Sequence, residues 1–219
     1  MDFRQFRHFL FDLDGTLYDS RRMPVRLIFG DLRHCLILKA ERTVRKHLKG
    51  RAFPSEQAYY DTLFEGIAQL RHITPEKARS WYFGRYMPQT VAILKAHYKA
   101  RPEVPALFDR IHARGGKIAV ISDYGFVREK LDAIGITAGM ADYEFEAPAI
   151  GGLKPCTDAY RHVLETMQVP LEETLMVGDR LDTDGRGAID AGIEFFFIDN
   201  KVGTWKELTD NILHNDSLQ

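Results

Sequence analysis

Phe9-Leu10-Phe11 is an unbroken apolar run, and it ends in Asp12-Leu13-Asp14-Gly15-Thr16-Leu17. This pattern predicts a short buried strand over residues 8–13 that turns at the glycine. From Pro24 to about Leu48 the period changes, with Ile28, Leu32, Leu36, Ala40, Val44 and Leu48 recurring every four residues. That spacing predicts one long helix with these six on its buried face. Pro54-Ser55 opens a further helix carrying Tyr59, Tyr60 and Phe64, and Thr74-Pro75-Glu76 supplies an N-cap with proline at the first helical position. An aromatic cluster, Trp81 to Tyr86 and on to Met87, leads into a helix around 91–98.

Beyond Pro102 helices and strands alternate. A helix over 103–114 closes at Gly115-Gly116 and a strand follows at 117–121. Next come a helix running to Gly135, a helix near 157–168, a strand at 174–177, a helix near 184–191 and a strand at 194–198. Thr204-Trp205-Lys206-Glu207 has capping-box spacing and opens a last helix. Strands that alternate with helices make a parallel sheet covered on both faces. The expected fold is therefore α/β, a Rossmann-like parallel-sheet core formed by residues 1–17 and 100–219. A mostly α-helical cap, residues 18–99, is inserted just after the first strand. Ligands of open α/β sheets bind at the carboxyl edge of the strands, so the insertion reads as a lid over that edge.

With 219 residues, 45% of them hydrophobic, and a net charge of −1, the chain carries no general signature of nucleic-acid or membrane binding. Cys35 and Cys156 lack metal-ligand spacing, and the eight histidines show no metal-like grouping. Free thiols, an early apolar run interrupted by acids and no stretch of bilayer length lead us to expect a cytoplasmic protein.

Four segments then offer chemistry at adjacent strand ends: Asp12 and Asp14, Ser122-Asp123, Gly152-Leu153-Lys154-Pro155, and Gly178-Asp179-Arg180-Leu181-Asp182-Thr183-Asp184. Parallel strands bring these ends together. Two acids leaving one buried strand are costly without a metal ion or other counter-charge.

These four motifs, in this order and over essentially the whole chain, resemble the haloacid dehalogenase superfamily of hydrolases, in the branch with a helical cap after the first strand. The resemblance implies that Asp12 is a nucleophile forming an aspartyl-phosphate, and that Asp14 is the general acid/base. Crowding among like charges would raise the proton affinity of Asp14. Mg²⁺ would be held by Asp12, the carbonyl of Asp14, Asp179 and a supporting acid, for which Asp182 competes with the favoured Asp184. Ser122 and Lys154 would bind the phosphate, helped by backbone amides around Gly15, Thr16 and Asp123. Asp123 stands where the family often has an uncharged residue, and its carboxylate is expected to cap a helix over 124–134. The implied activity is a Mg²⁺-dependent phosphatase acting on a small phosphorylated metabolite. A phosphomutase working on a sugar phosphate is the alternative, and a non-catalytic regulatory protein of the same fold is a more distant one. Asp14 separates the chain from the dehalogenases of the resemblance, which lack that acid and need no metal.

Between Arg21 and Arg51 ten basic residues face two acids, so this stretch carries +8 and the remainder −9. Arg26, Arg33, Arg42, Arg45 and Lys49 fall off the apolar face of the first cap helix. They form either a solvated face or a basic wall that recognises a second anionic group on the substrate.

Overall fold

In the computed structural model, which describes residues 1–213, β1 (His8–Asp12) is the middle strand of one all-parallel sheet. The strands β2 (Ile118–Ser122) and β4 (Thr174–Gly178) flank it. The edges are β3 (Tyr143–Glu146) and β5 (Glu194–Phe197), giving the order β3-β2-β1-β4-β5. His214 lies outside the described residues. Every position of β1, β2 and β4 is buried, because helices cover both faces and leave no side to alternate toward water. Phe9, Phe11, Val120 and Val177 join the core formed with α6 (Val104–Ala113), α7 (Val127–Ile134) and α10 (Thr204–Leu213). Leu10, Ile121 and Met176 pack on the other side against α8 (Thr157–Met167) and α9 (Arg186–Asp190). Phe11 is level with Val120 and Val177, and Asp12 with Ile121, so the three central strands end together. Asp12, Ser122 and Asp179 therefore emerge on one edge.

The sequence pattern did not predict β3. Tyr143-Glu144-Phe145-Glu146 carries only two apolar residues, and at this sheet edge Phe145 alone is buried.

The helical segment between β1 and α6 comprises α1 (Met23–Gly30), α2 (Cys35–Leu48), α3 (Glu56–Arg71), α4 (Pro75–Trp81) and α5 (Met87–His97). The single helix expected over 24–48 is thus two, parted by a tight turn at Leu32–His34. Asp31 sits at the break, paired with His34 at 2.8 Å and with Arg85. The expected apolar face also fails in its first half, since Ile28, Leu32 and Leu36 are exposed while Met23, Leu27 and Leu38 are buried. A strict four-residue spacing drifts by about 40° per step on a helix of 3.6 residues per turn, so Ile28 and Leu48 could not share one face. Ser55 and Thr74 cap α3 and α4 as expected, accepting from the amides of Ala58 and Lys77. The aromatic cluster is interior packing: Tyr60 lies 5.0–5.7 Å from the rings of Tyr59, Phe64, Tyr82 and Phe83.

The two chain crossings into and out of this segment meet where Tyr18 packs edge-on against Tyr98, at 5.4 Å. A second attachment follows α2. Gly50 donates to the carbonyl of Leu153 at 3.1 Å and Phe53 to that of Gly151 at 2.8 Å, a short antiparallel bridge. Gly152 has φ +148, and a Cβ there would fall 2.2 Å from the Arg51 carbonyl oxygen, so only glycine admits the approach. Among the described residues no helix is long and apolar enough to cross a membrane.

Candidate active site

Asp12 closes β1 and is nearly buried. One carboxylate oxygen pairs with Lys154 Nζ at 2.6 Å, and the other accepts from the Thr16 hydroxyl at 3.1 Å. Lys154 also meets Asp184 at 2.7 Å. Burial works against the ammonium, but Asp12, Asp184 and Asp123 outweigh it and raise its proton affinity well above the ordinary value. Gly15, at φ +107, makes the turn after the strand. A Cβ on it would stand 2.0 Å from Asp179 Oδ2, so the glycine gives Asp179 room to reach the site. The turn is held from behind by Arg101, which donates to the Thr16 carbonyl at 2.7 Å, and by Asn200, which donates to that of Gly15 at 3.0 Å.

Asp12, Asp179 and Asp184 each bring a carboxylate oxygen within 4.8 Å of the others. Asp184 also accepts from the Arg180 amide at 3.1 Å. Asp182 stays outside the cluster, exposed and paired with Arg180 at 2.7 Å and Lys49 at 3.2 Å. Three acids share the single charge of Lys154, and Oδ1 of Asp179 is buried without a hydrogen-bond partner. Burial, reinforced by the charge of Asp12, pushes the Asp179 carboxyl up to about 7. Asp12 and Asp184 are raised in the same direction, in each case chiefly by burial. An all-oxygen donor set with excess negative charge and an orphaned carboxylate oxygen suits a hard divalent cation, so the residues fit Mg²⁺.

Asp14 behaves differently from the expectation. Tyr18 donates to its Oδ1 at 2.5 Å, Ser122 to its Oδ2 at 3.2 Å, and the ammonium of Lys130, on α7, pairs with the same Oδ2. Burial favours the neutral acid, but the Lys130 charge and these hydrogen bonds prevail and hold the carboxyl below its ordinary value. The anticipated rise from like-charge crowding is thus overturned, because Lys130 supplies a cation that the motif reading did not include. Ser122 is buried and its oxygen also accepts from the Tyr124 amide at 3.2 Å. Asp123 does not cap a helix. Its carboxylate accepts from the Lys154 amide at 2.8 Å, and α7 starts only at Val127, where Glu146 accepts from the Phe126 amide at 2.7 Å. The positive φ of Phe126 turns the chain between Asp123 and the helix.

A cavity of about 660 Å³ opens above these groups. Its floor carries Asp12, Asp14, Ser122, Lys154, Asp179 and Asp184. Its roof comes from α1, α2 and α5, with Arg42, Arg45 and Lys46 on α2, Lys49 just past its end, and Met23, Leu27 and Met87 opposite in character. Arg45 is no surface residue. It donates to Glu41, Tyr59, Tyr82 and the Asp123 carbonyl at 2.6, 2.8, 3.2 and 2.7 Å, and lies 4.1 Å above the Tyr124 ring. Arg42 and Lys46 have no ion-pair partner among the described residues.

Sequence reasoning missed Lys130, and it read Arg45 only as a solvated or substrate-facing charge, whereas the side chain is buried among partners of its own protein. For Lys130 a signal existed: it occupies the apolar stripe Val127, Lys130, Leu131, Ile134, where a charge needs a partner.

Comparison with known proteins identifies the family. A family model for haloacid dehalogenase-like hydrolases matches residues 6–192. The 5-amino-6-(5-phospho-D-ribitylamino)uracil phosphatase YigB of Escherichia coli is 27% identical over 214 residues, covering 93% of this chain and 87% of that protein. A phosphoglycolate phosphatase of Aquifex aeolicus is 26% identical over 176 residues, 79% of this chain and 76% of that one. Among solved structures, the HAD-hydrolase YfnB of Bacillus subtilis superposes with a TM-score of 0.65 at 16% identity, covering 95% of this chain and 98% of that one. With a family match spanning most of its length, a parallel sheet of this order and the four motifs converging at its carboxyl edge, the chain belongs to the haloacid dehalogenase-like hydrolases.

Proposed function

We propose that the protein is a Mg²⁺-dependent phosphatase that hydrolyses the phosphate monoester of a small metabolite through a phosphorylated Asp12. The observation that carries this reading is the convergence of the Asp12, Asp179 and Asp184 oxygens within 4.8 Å, beside Lys154 and Ser122, on the floor of the cavity. The phosphatase names of relatives at 26–27% identity support the same reaction class.

Asp12, Asp179 and Asp184 would hold the cation, which when bound supplies positive charge against the repulsion between Asp12 and the phosphate. Asp12 attacks phosphorus, the bond to the ester oxygen breaks, and the leaving alkoxide takes a proton from the Asp14 carboxyl, whose protonated form the negative charge of the bound phosphate favours. Water then attacks phosphorus and gives a proton to Asp14. The bond to Asp12 breaks, and inorganic phosphate departs. Lys154 and Ser122 steady the phosphoryl oxygens during both displacements. Residues 18–99 act as the lid, with Arg45 anchoring α2 to the loop after Ser122. Arg42 and Lys46, without ion-pair partners among the described residues, fit an ester that carries a second anionic group, either a carboxylate or a further phosphate.

The test is phosphate release from sugar phosphates, nucleotides and phosphoglycolate-like acids, with Mg²⁺ and with chelator, alongside Asp12→Asn. Activity should vanish under chelation and in D12N, and the wild type should yield a hydroxylamine-labile phosphoenzyme. Turnover that survives either condition refutes the mechanism.

A further inference from the structure

Lys130 stands out among the charged groups of the cavity because its own helix gives it no reason to be there. Position 130 belongs to the buried face of α7, with Val127, Leu131 and Ile134, and the lysine side chain is only 1% exposed. An apolar side chain would complete that face, whereas a buried ammonium is costly unless a specific partner receives it. Its ion-pair partner among the described residues is Asp14, and its Nζ also lies 3.4 Å from the Ser122 hydroxyl and 5.3 Å from the centre of the Tyr124 ring.

Three elements thus converge on one carboxylate: Tyr18 from the chain leaving the strand, Ser122 from the tip of β2, and Lys130 from α7. They are not equivalent once substrate is present. Ser122 has a single hydroxyl proton, here given to Asp14, and the proposed function requires that proton for a phosphoryl oxygen. When the phosphoryl group takes it, Oδ2 of Asp14 is left with Lys130.

We propose that Lys130 is a positioning residue, whose ammonium fixes the Asp14 carboxylate where it serves the water that cleaves the phosphorylated Asp12. This rests on the reading of Asp14 as the proton-transferring acid. In that half-reaction the water oxygen bonds to phosphorus, its proton passes to Asp14, the phosphorus–oxygen bond to Asp12 breaks, and Asp12 recovers its carboxylate. An Asp14 freed from Lys130 would miss the water, while attack by Asp12 on a good leaving group would continue.

Pre-steady-state kinetics of the full-length protein with p-nitrophenyl phosphate in Mg²⁺ buffer separate the two halves, because p-nitrophenolate leaves without needing a proton. Lys130→Met should show a burst of p-nitrophenolate approaching one per active site, followed by a steady rate about 10- to 100-fold below wild type, a share of the usual acid–base contribution. Asp14→Asn should show the same burst, and Lys130→Arg should restore most of the steady rate. Should the methionine variant fail to fold, Lys130→Gln removes the charge while keeping a polar group, and should burst alike. A Lys130 variant that loses rate without a burst, or matches wild type while D14N bursts, overturns this inference alone. If D14N itself shows no burst, the assignment of Asp14 fails and this inference falls with it.

Discussion

Replacing Lys154 by methionine isolates the electrostatics of the site. Lys154 lies 2.6 Å from Asp12 and 2.7 Å from Asp184, with side chains 2%, 10% and 1% exposed. At an effective dielectric of about 20 each contact is worth about 6 kcal/mol of gross attraction, most of it offset by desolvation of the ions. Methionine fills similar volume but strands two acids next to Asp179, and breaking a buried pair in this way costs about 3–5 kcal/mol. The folded variant can relieve the repulsion by binding a proton that the unfolded chain does not hold. Its folded carboxyl pKa then lies above the unfolded value, so stability falls as pH rises. One extra folded-state proton gives a slope of about 1.4 kcal/mol per pH unit. Urea unfolding in chelator at pH 5.5, 6.5, 7.5 and 8.5 should therefore show a deficit relative to wild type that is largest at pH 8.5 and shrinks steadily toward pH 5.5. The m-value should be unchanged. A deficit under about 1 kcal/mol at pH 8.5, or one equal at all four pH values, would refute the argument that Lys154 compensates buried charge.

Other outcomes follow from the same geometry. Gly15→Ala forces a Cβ to within 2.0 Å of Asp179 Oδ2 at φ +107, so Mg²⁺ affinity by calorimetry should drop at least about tenfold while the protein stays folded. Because the Asp179 carboxyl is raised from 3.8 to about 7, Mg²⁺ must displace a proton below pH 7. Calorimetry in buffers of different ionisation enthalpy should show proton release at pH 6 that fades by pH 8, and Asp179→Asn should diminish it. Arg42→Gln with Lys46→Gln should raise KM about tenfold or more for an ester with a second anionic group and leave an ester with a neutral tail unchanged. An equal rise for both would exclude these two residues as the second anion's binding wall. Burial lowers the proton affinity of His8, whose Nδ1 accepts from the Lys117 amide at 3.1 Å. Its folded pKa lies below the unfolded one, so its contribution to stability is complete above the unfolded value and is lost as pH falls. His8→Gln should therefore flatten the acid limb of the stability profile in chemical unfolding.

The central strands were legible because β1, β2 and β4 are buried on both faces and show as continuous apolar runs with polar ends. The edge strand β3 was not, since Tyr143-Glu144-Phe145-Glu146 buries one side chain and makes no run. The helix break at Gly30-Asp31 was hidden by a regular four-residue spacing that is not helical periodicity, and Leu32 and Leu36, counted on the buried face, are exposed. At the site the acids and Lys154 were legible because each follows a strand or turn in a fixed order. Lys130 was not, and Arg45 was read as a surface or wall charge, since their meaning depends on distant partners: Asp14 lies 116 residues before Lys130, and the Asp123 carbonyl 78 residues after Arg45. A lysine on an apolar stripe or an arginine four residues after a glutamate is ordinary in isolation. The Asp123 capping expectation failed for the same reason, as the loop turns at Phe126 and Glu146 reaches α7 from β3.

The bridge between residues 50–53 and 151–153 bears on how such enzymes can be recombined. The backbone just after α2 is hydrogen-bonded to the loop that delivers Lys154, and it passes so close to Gly152 that a single methyl group would collide. Residues 18–99 are consequently not an interchangeable module joined at two linkers. The corresponding helical segment transplanted from a relative would arrive with a return path fitted to that relative's own lysine loop, and the mismatch would displace the ammonium of Lys154, which we propose binds the phosphate, rather than a surface contact. Chimaeras should carry residues 45, 50–53 and 151–154 as one inherited block, while the side chains of Arg42 and Lys46, which have no ion-pair partner among the described residues, stay open to exchange one at a time.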